Sequence, residues 1–341
     1  MNYSTPRVIR VSLSLLMVAV ITFGLHSLRT GASTQNDFPC TLDSPSEVSI
    51  EIPSGASGSA IAKILFDAGV VKSSASFFKM AVSKAEATGI SPGSHRIEIQ
   101  ICAEDALKQL LDTTRIENLI KISEGEWNSE IVKKMIAAGF SQPELMSALK
   151  DVTLPAGITS PEGVLFPAQY SFGKGTTALE AIQNMVDRFS QESTLIGFNN
   201  GYEKYSQKDL LTIASIIQAE GNTKDFTKIA RTIYNRLRID MPLQLDSTVH
   251  YITGVRGSIF LSTKATTIKS PYNTYKRYGL PPAPIGNPGV AALRAAISPE
   301  QGDWIYFITV APGDTRFTAS SDQFLKWKVE YIRNRRAGAF K

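Results

Sequence analysis

The apolar stretch LLTIASIIQAEG, residues 211–222, constrains the fold most strongly, because it carries one carboxylate among isoleucines. Ile213, Ile216 and Ile217 precede Glu220 at helical spacing, so the four side chains share one face of a predicted helix. A carboxylate on such a face is costly unless it is paired, hydrogen-bonded or neutral. Gly221 indicates that the helix stops there, which places Glu220 in its last turn.

The position of Glu220 supports two interpretations. Burial and the negative end of the helix dipole both raise the pKa of a carboxyl, which is the direction needed by an acid that keeps its proton near neutral pH. In the alternative, the carboxylate is solvated or pairs with Arg231, Arg236 or Arg238 in the following segment.

Composition narrows the class of protein. With 341 residues, 43% apolar and 20% charged, the chain is expected to be globular, with one large domain or two ordinary ones. The net charge of +5 is modest, and Lys and Arg do not cluster with aromatic residues, so we expect no nucleic-acid partner. The histidines at 26, 95 and 250 are too scattered for a metal site, and we expect neither a metal nor a cofactor.

One long apolar run, Val11–Leu28, predicts a membrane-spanning helix. Arg7 and Arg10 precede it, so the N-terminus is expected to stay in the cytoplasm and the rest to be exported as a single-pass protein of the cytoplasmic membrane. A signal peptide cleaved near residues 31–33 is the alternative. Outside the cytoplasm, where conditions are oxidising, Cys40 and Cys102 can form a disulfide. The sequence gives no distance between them, so it leaves the pairing open.

The pattern of apolar residues predicts an α+β fold. Residues 47–53 and 91–101 alternate like strands, and helical spacing recurs between and after them. A second, larger set of helices begins after a strand-like opening at 118–125. The predicted divisions are an N-terminus at 1–10, a transmembrane helix at 11–28, a linker at 29–46, a small α+β domain at 47–115 and a larger α+β domain at 116–336.

Three polar and aromatic segments after Glu220, at 241–251, 270–289 and 314–324, are predicted to be loops. The prolines and glycines of the middle segment hold a Tyr-Asn-Thr-Tyr run on a stiff frame. Tyrosine faces stack on sugar rings while Asn and Thr bind hydroxyls, so a carbohydrate cleft is a physically reasonable use of these residues. Tyrosines packed onto the core are the alternative.

Several of these segments together resemble one known family. The runs ASIIQAEG, NRLRIDMPLQLDSTVHY and SPYNTY with GLPPAPIGNPG are similar to the MltG-type, YceG-like endolytic murein transglycosylases. ISEGEWNSEIVKKM and PEGVLFPAQYSF resemble two further signatures, and VSIEIPSGASGSAIAKIL resembles the LysM-like domain of that family. The resemblance extends from about residue 47 to 330 in the same order.

The resemblance implies that Glu220 is the catalytic acid and base of a lytic transglycosylase. That reaction cleaves the β-1,4 bond between N-acetylmuramic acid and N-acetylglucosamine and leaves 1,6-anhydro ends. The implied partners are peptidoglycan glycan strands and the membrane-bound cell-wall synthesis machinery. The implied substrate-binding residues are Glu162, Asn235, Gln244, Asp246, Thr248, Tyr272, Asn273, Thr274 and Tyr275.

Two other functions stay open at the level of sequence. If Asp246 faces Glu220 across a cleft, a two-carboxylate muramidase that produces reducing ends becomes possible. A membrane-anchored scaffold that binds peptidoglycan without cleaving it would have a similar sequence, apart from an intact Glu220 site. A pyridoxal-phosphate lyase is disfavoured because no lysine lies in a recognisable Schiff-base setting.

Overall fold

The computed structural model describes residues 37–40, 46–53, 55–117, 119–173, 175–256 and 264–340. The chain divides after Glu117 into two compact units, each with helices and strands, which agrees with the predicted α+β class. The predicted membrane span at 11–28 lies outside the described residues. Among the described residues, no helix combines the length and the apolar character that a membrane crossing requires.

The first unit is a two-stranded antiparallel sheet with three helices packed on it. The apolar face of the sheet and the apolar faces of the helices meet in one core, which contains Ile50, Leu65, Phe77, Ile97 and Leu110. The strands pair along their full length, from Glu47 opposite Glu98 to Ile52 opposite Gly93. The LysM-like character of this unit stays a prediction. Its elements are β1 (Glu47–Ile52), α1 (Gly58–Asp67), α2 (Ser74–Val82), β2 (Gly93–Glu98) and α3 (Ala103–Leu111).

A disulfide joins Cys40 to Cys102, so the pairing that the sequence left open is present. Cys102 directly precedes α3, and Asp37 accepts a hydrogen bond from the Ala103 backbone N–H at 2.8 Å. A carboxylate at that position satisfies a free donor of the helix and suits the positive end of its dipole. The segment before the first strand is therefore fastened to the start of α3 by one covalent bond and one polar contact.

The second unit is mainly helical and is built around one buried helix, α7. Three antiparallel strand pairs occur in the described chain, and two of them belong to this unit. Its helices are α4 (Asn128–Ala137), α5 (Gln142–Asp151), α6 (Ala178–Leu195), α7 (Gln207–Glu220), α8 (Phe226–Arg238), α9 (Asp246–Thr253), α10 (Val290–Ile297) and α11 (Ser321–Arg336). Its strands are β3 (Ile120–Lys121), which pairs with β4 (Gln169–Tyr170), and β5 (Tyr306–Ala311), which pairs with β6 (Asp314–Thr318).

Helix α7 ends where the sequence predicts. Ser206 and Asp209 form a capping box at its start, and Glu220 is its last residue. Gly221 follows, but its φ of −158° is extended rather than left-handed. A Cβ at this position would lie 2.3 Å from Cδ1 of Ile229 on α8. A side chain at position 221 would therefore force the end of the buried Ile229 side chain to shift, and this contact explains the glycine better than the turn that ends α7.

Two of the three predicted loops are wrong. The segment 241–251 contains the first turns of α9, and 314–324 contains β6 and the start of α11. Polar residues obscured both elements, because Thr and Ser are common in turns as well as in half-buried helices and strands. Residues 270–289 contain neither a helix nor a strand, as predicted.

Candidate active site

A cleft of about 690 Å³ lies where α7 ends, and Glu220 is part of its lining. The start of α9 forms one side, while β5 and α11 form the other. Ile213, Ile216 and Ile217 are fully buried behind Glu220, so the carboxyl projects from the core of the unit into the cleft. The sequence-based expectation of a carboxyl on an otherwise apolar helix face is met by this arrangement.

Glu220 lies between the ends of two helices. Its Oε1 accepts a hydrogen bond of 3.2 Å from the backbone N–H of Ser247, which is in the first turn of α9. Burial raises the pKa of Glu220 and the nearby Asp246 adds to that rise, whereas Ser247 and the Arg236 guanidinium oppose it. The net effect is a raised pKa for Glu220, so its carboxyl holds the proton more strongly in this site than it would in water.

No described arginine forms an ion pair with Glu220, although the Arg236 guanidinium lies close enough to oppose the rise in its pKa. Arg231 donates to the backbone oxygen of Glu300 at 2.6 Å, and Arg236 donates to that of Ile305 at 2.6 Å. Arg238 forms an ion pair with Glu203. Within the described part of the chain, no ion pair involves Glu220.

Four of the predicted site residues meet in this cleft: Glu220, Gln244, Asp246 and Tyr275. The Tyr275 hydroxyl donates a short hydrogen bond to Asp246 Oδ1. Burial raises the pKa of Tyr275, and its bond to Asp246 adds to that effect. Gln244 has a positive φ of 47° and is exposed at the rim, where its backbone N–H is bonded to Thr274.

Four other predicted cleft residues lie behind the walls rather than on them. Asn235 donates to the backbone oxygen of Trp304 at 2.9 Å, and the Thr274 hydroxyl accepts from the N–H of Leu245 at 2.9 Å. Because buried polar groups have to be hydrogen-bonded, their side chains fix the backbone that forms the cleft. The side chains of Asn235, Thr248, Asn273 and Thr274 are buried and hydrogen-bonded, and they are not part of the cleft lining.

Glu162 and Tyr272 belong to a different cluster, away from the lining of the cleft. Glu162 accepts hydrogen bonds from the N–H of Asn128 at 3.1 Å and from the Tyr251 hydroxyl at 3.2 Å. The ring of Tyr272 lies 5.2 Å from that of Tyr251. Burial raises the pKa of Glu162 to about 7, although both hydrogen bonds favour the anion.

Residues that the sequence did not single out complete the cleft. Ser247 and His250 lie on α9, and the side chain of His250 has a buried Nε2 with no hydrogen-bond partner among the described residues. Phe324, Lys328 and Tyr331 lie on the opposite wall. Their spacing of four and three residues is a helical-face signal that was present in the sequence, but it falls in a segment that we predicted in part to be a loop.

The geometry defines a cleft that holds the carboxyls of Glu220 and Asp246, and comparison with known proteins gives the family of the chain. A profile described as the YceG-like family matches residues 50–330. A Bacillus subtilis (strain 168) protein named endolytic murein transglycosylase is 34% identical over 316 residues, which cover 86% of this chain and 87% of that protein. The chain therefore belongs to the YceG-like family.

Two further relatives agree with this assignment. A protein of the same name from Streptococcus pneumoniae (strain ATCC BAA-255 / R6) is 28% identical over 335 residues, and the match covers 87% of this chain but 60% of that longer protein. The crystal structure of a YceG-like protein from Listeria monocytogenes is similar with a TM-score of 0.55 and 30% identity. That match covers 82% of this chain and 99% of the Listeria chain.

Proposed function

We propose that this protein is a membrane-anchored endolytic lytic transglycosylase that cleaves peptidoglycan glycan strands, with Glu220 as its acid and base. The observation that carries the proposal is one partly buried carboxyl of raised pKa, unpaired with any described cation, in a cleft of a YceG-like chain. The bond cleaved is the β-1,4 linkage between N-acetylmuramic acid and N-acetylglucosamine.

The reaction needs only one proton carrier. Protonated Glu220 donates its proton to the glycosidic oxygen as the bond to the muramyl anomeric carbon breaks. The carboxylate then accepts the proton of the muramyl 6-hydroxyl, whose oxygen attacks that carbon and closes a 1,6-anhydro ring. Glu220 ends the cycle protonated again, and no water is consumed.

The raised pKa of Glu220 serves both steps. A raised pKa keeps more of the acid protonated before the bond breaks and makes the resulting carboxylate a stronger base afterwards. Because the nucleophile belongs to the same sugar, its effective concentration is high and a second carboxylate is not needed to activate water. Asp246 is held by the Tyr275 hydroxyl, which suits a binding role next to Glu220.

The same proposal places the protein at the cytoplasmic membrane, with residues 29–341 outside the cytoplasm. The apolar run Val11–Leu28 after Arg7 and Arg10 supports the anchor, and the Cys40–Cys102 disulfide supports an oxidising compartment. In that position the enzyme acts on nascent strands beside the membrane-bound synthesis machinery. The first unit acts as the LysM-like module that positions the strand.

The test is incubation of the full-length protein in detergent with purified sacculi, followed by mass spectrometry of the new glycan ends. We expect 1,6-anhydro ends from the wild type, and none from a folded Glu220→Gln variant. Glu144→Gln, at an exposed position on α5, is the matched control and should cleave normally. Reducing ends would instead identify a two-carboxylate muramidase, and binding without new ends would identify a scaffold.

A further inference from the structure

The two walls of the cleft differ in chemistry. The α9 wall offers Gln244, Asp246, Ser247 and His250, which are hydrogen-bonding groups suited to sugar hydroxyls. The opposite wall offers aromatic rings and one exposed cation, carried on β5, on α11 and on Phe340 after the end of α11. Resting on the proposed function, we infer that this second wall is a subsite for the acidic peptide attached to the muramic acid residue beside Glu220.

The aromatic part of this wall consists of two preformed pairs. Tyr306 and Phe324 are stacked with ring centroids 5.0 Å apart, and Tyr331 meets Phe340 edge-on at 5.5 Å. All four residues line the cleft and are partly exposed. Rings that already hold one another in place lose little freedom when a ligand packs on them, so the surface is suited to binding.

Lys328 supplies the charge on this wall. Its side chain is exposed, and within the described residues its ammonium group forms no ion pair. The ionisable groups on the other wall include Glu220 and Asp246, which repel an acidic ligand when they are ionised. Arg236 also lines the cleft, but it is buried and donates to the backbone oxygens of Leu243 and Ile305. Among the described lining residues, Lys328 is therefore the exposed cation that an entering carboxylate meets.

The connectivity of the substrate brings the start of a peptide into this cleft. In peptidoglycan the peptide is joined through a lactyl ether to the same muramyl ring whose anomeric carbon reacts. When that ring lies against Glu220, its peptide begins inside the same cleft. An apolar wall with a cation at the rim matches a short peptide that combines alanyl methyl groups with free carboxylates.

The wall is fixed firmly enough to discriminate between ligands. Arg316 on β6 forms ion pairs with Asp314 and with Glu330 of α11. The Asn334 side chain donates to the backbone oxygen of Val310 on β5 at 2.9 Å. Helix α11 is thus joined to both strands of the hairpin, so the face that carries Lys328 and Tyr331 keeps its position relative to β5.

The experiment compares two substrates for the full-length protein: intact glycan strands, and strands whose peptides have been removed by an amidase. We expect Lys328→Gln to raise KM on intact strands about two- to fivefold, the range of an exposed ion pair, and to change kcat/KM on stripped strands less than about twofold. Tyr331→Ala should lower kcat/KM on intact strands about tenfold, with thermal unfolding measured alongside to report folding. Lys326→Gln, at an exposed lysine of α11 that does not line the cleft, is the matched control and should change neither substrate.

Ionic strength adds a second measurement. Added salt should raise KM of the wild type on intact strands and have little effect on Lys328→Gln, because the lost interaction is between exposed charges. Equal losses of the Lys328 variant on both substrates, or no loss on either, would overturn the peptide subsite. Neither result touches the proposed function, which fails separately if the wild type produces no anhydro ends from either substrate.

Discussion

Glu162 is a buried carboxyl outside the cleft, and we predict that its ionisation lowers the free energy of unfolding. Its pKa is raised from 4.5 to about 7 by burial, against the opposing hydrogen bonds from Asn128 and Tyr251. A group whose pKa is higher in the folded state contributes its full stability below the unfolded value and loses it as pH rises towards the folded value. The loss therefore falls between about pH 4.5 and 7 and is complete above that window.

The size of the effect follows from the shift. At about 1.4 kcal/mol per pH unit, ionisation of Glu162 costs the folded state about 1 kcal/mol near pH 5 and about 3 kcal/mol near pH 8. Glu162→Gln keeps an acceptor for Asn128 and cannot ionise. The variant should therefore gain about 2 kcal/mol of unfolding free energy relative to wild type between these pH values, or roughly 4–8 °C in Tm for a unit of this size.

The assay is denaturant unfolding followed by tryptophan fluorescence across that pH range. Trp127, Trp304 and Trp327, the three tryptophans of the chain, all lie after residue 118, so the signal reports on the second unit alone. The ring centroid of Trp127 lies 5.8 Å from that of Tyr251, whose hydroxyl is bonded to Glu162, so its fluorescence reports on the surroundings of the substituted residue. Glu144→Gln is the control with an exposed carboxyl. A pH dependence identical in wild type and Glu162→Gln would refute the assignment of this cost to Glu162.

Two further predictions concern the surroundings of Glu220. Gly221→Ala should destabilise the second unit by about 1–3 kcal/mol, because the new Cβ meets Cδ1 of Ile229; adding Ile229→Val, which removes that atom, should recover part of the loss. Strict additivity of the two changes in denaturant unfolding would contradict this clash. His250→Leu should lower kcat/KM on sacculi about tenfold, because the unpartnered Nε2 is a candidate hydrogen-bonding group for the substrate. The free energy of unfolding should stay equal or rise, because a buried polar atom without a partner destabilises the fold. If cleavage stays at the wild-type rate, His250 has no part in binding.

The sequence was sufficient to predict the end of helix α7 and the position of Glu220, because all the signals there are local. The spacing of the isoleucines, the Ser206 cap and the glycine after Glu220 lie within one segment, and each reflects a short-range rule. The fate of the arginines was not predictable in the same way. The Arg236 guanidinium donates hydrogen bonds to the backbone oxygens of Leu243 and Ile305. Such partners become neighbours only when separate segments of the chain fold together.

The site residues divide along the same line. Gln244, Asp246 and Tyr275 reach the cleft, whereas Asn235 and Thr274 come from equally recognisable motifs and lie behind it. A motif shows that a residue type is needed but does not show which side of the backbone it faces. The wall opposite α9 was not predicted for a different reason: the aromatic residues of α11 follow an ordinary helical spacing that is also typical of core packing.

The Cys40–Cys102 disulfide determines where a pull on the N-terminal segment enters the folded protein. Tension in whatever precedes Cys40 passes directly into the start of α3 and bypasses the seven peptide links that lead to Glu47. Reduction would move the loading point to the edge of the first strand and lengthen the tether by at most about 25 Å. For the membrane-anchored protein that we propose, a thiol reductant therefore changes the reach of the folded part without altering a single residue of the cleft.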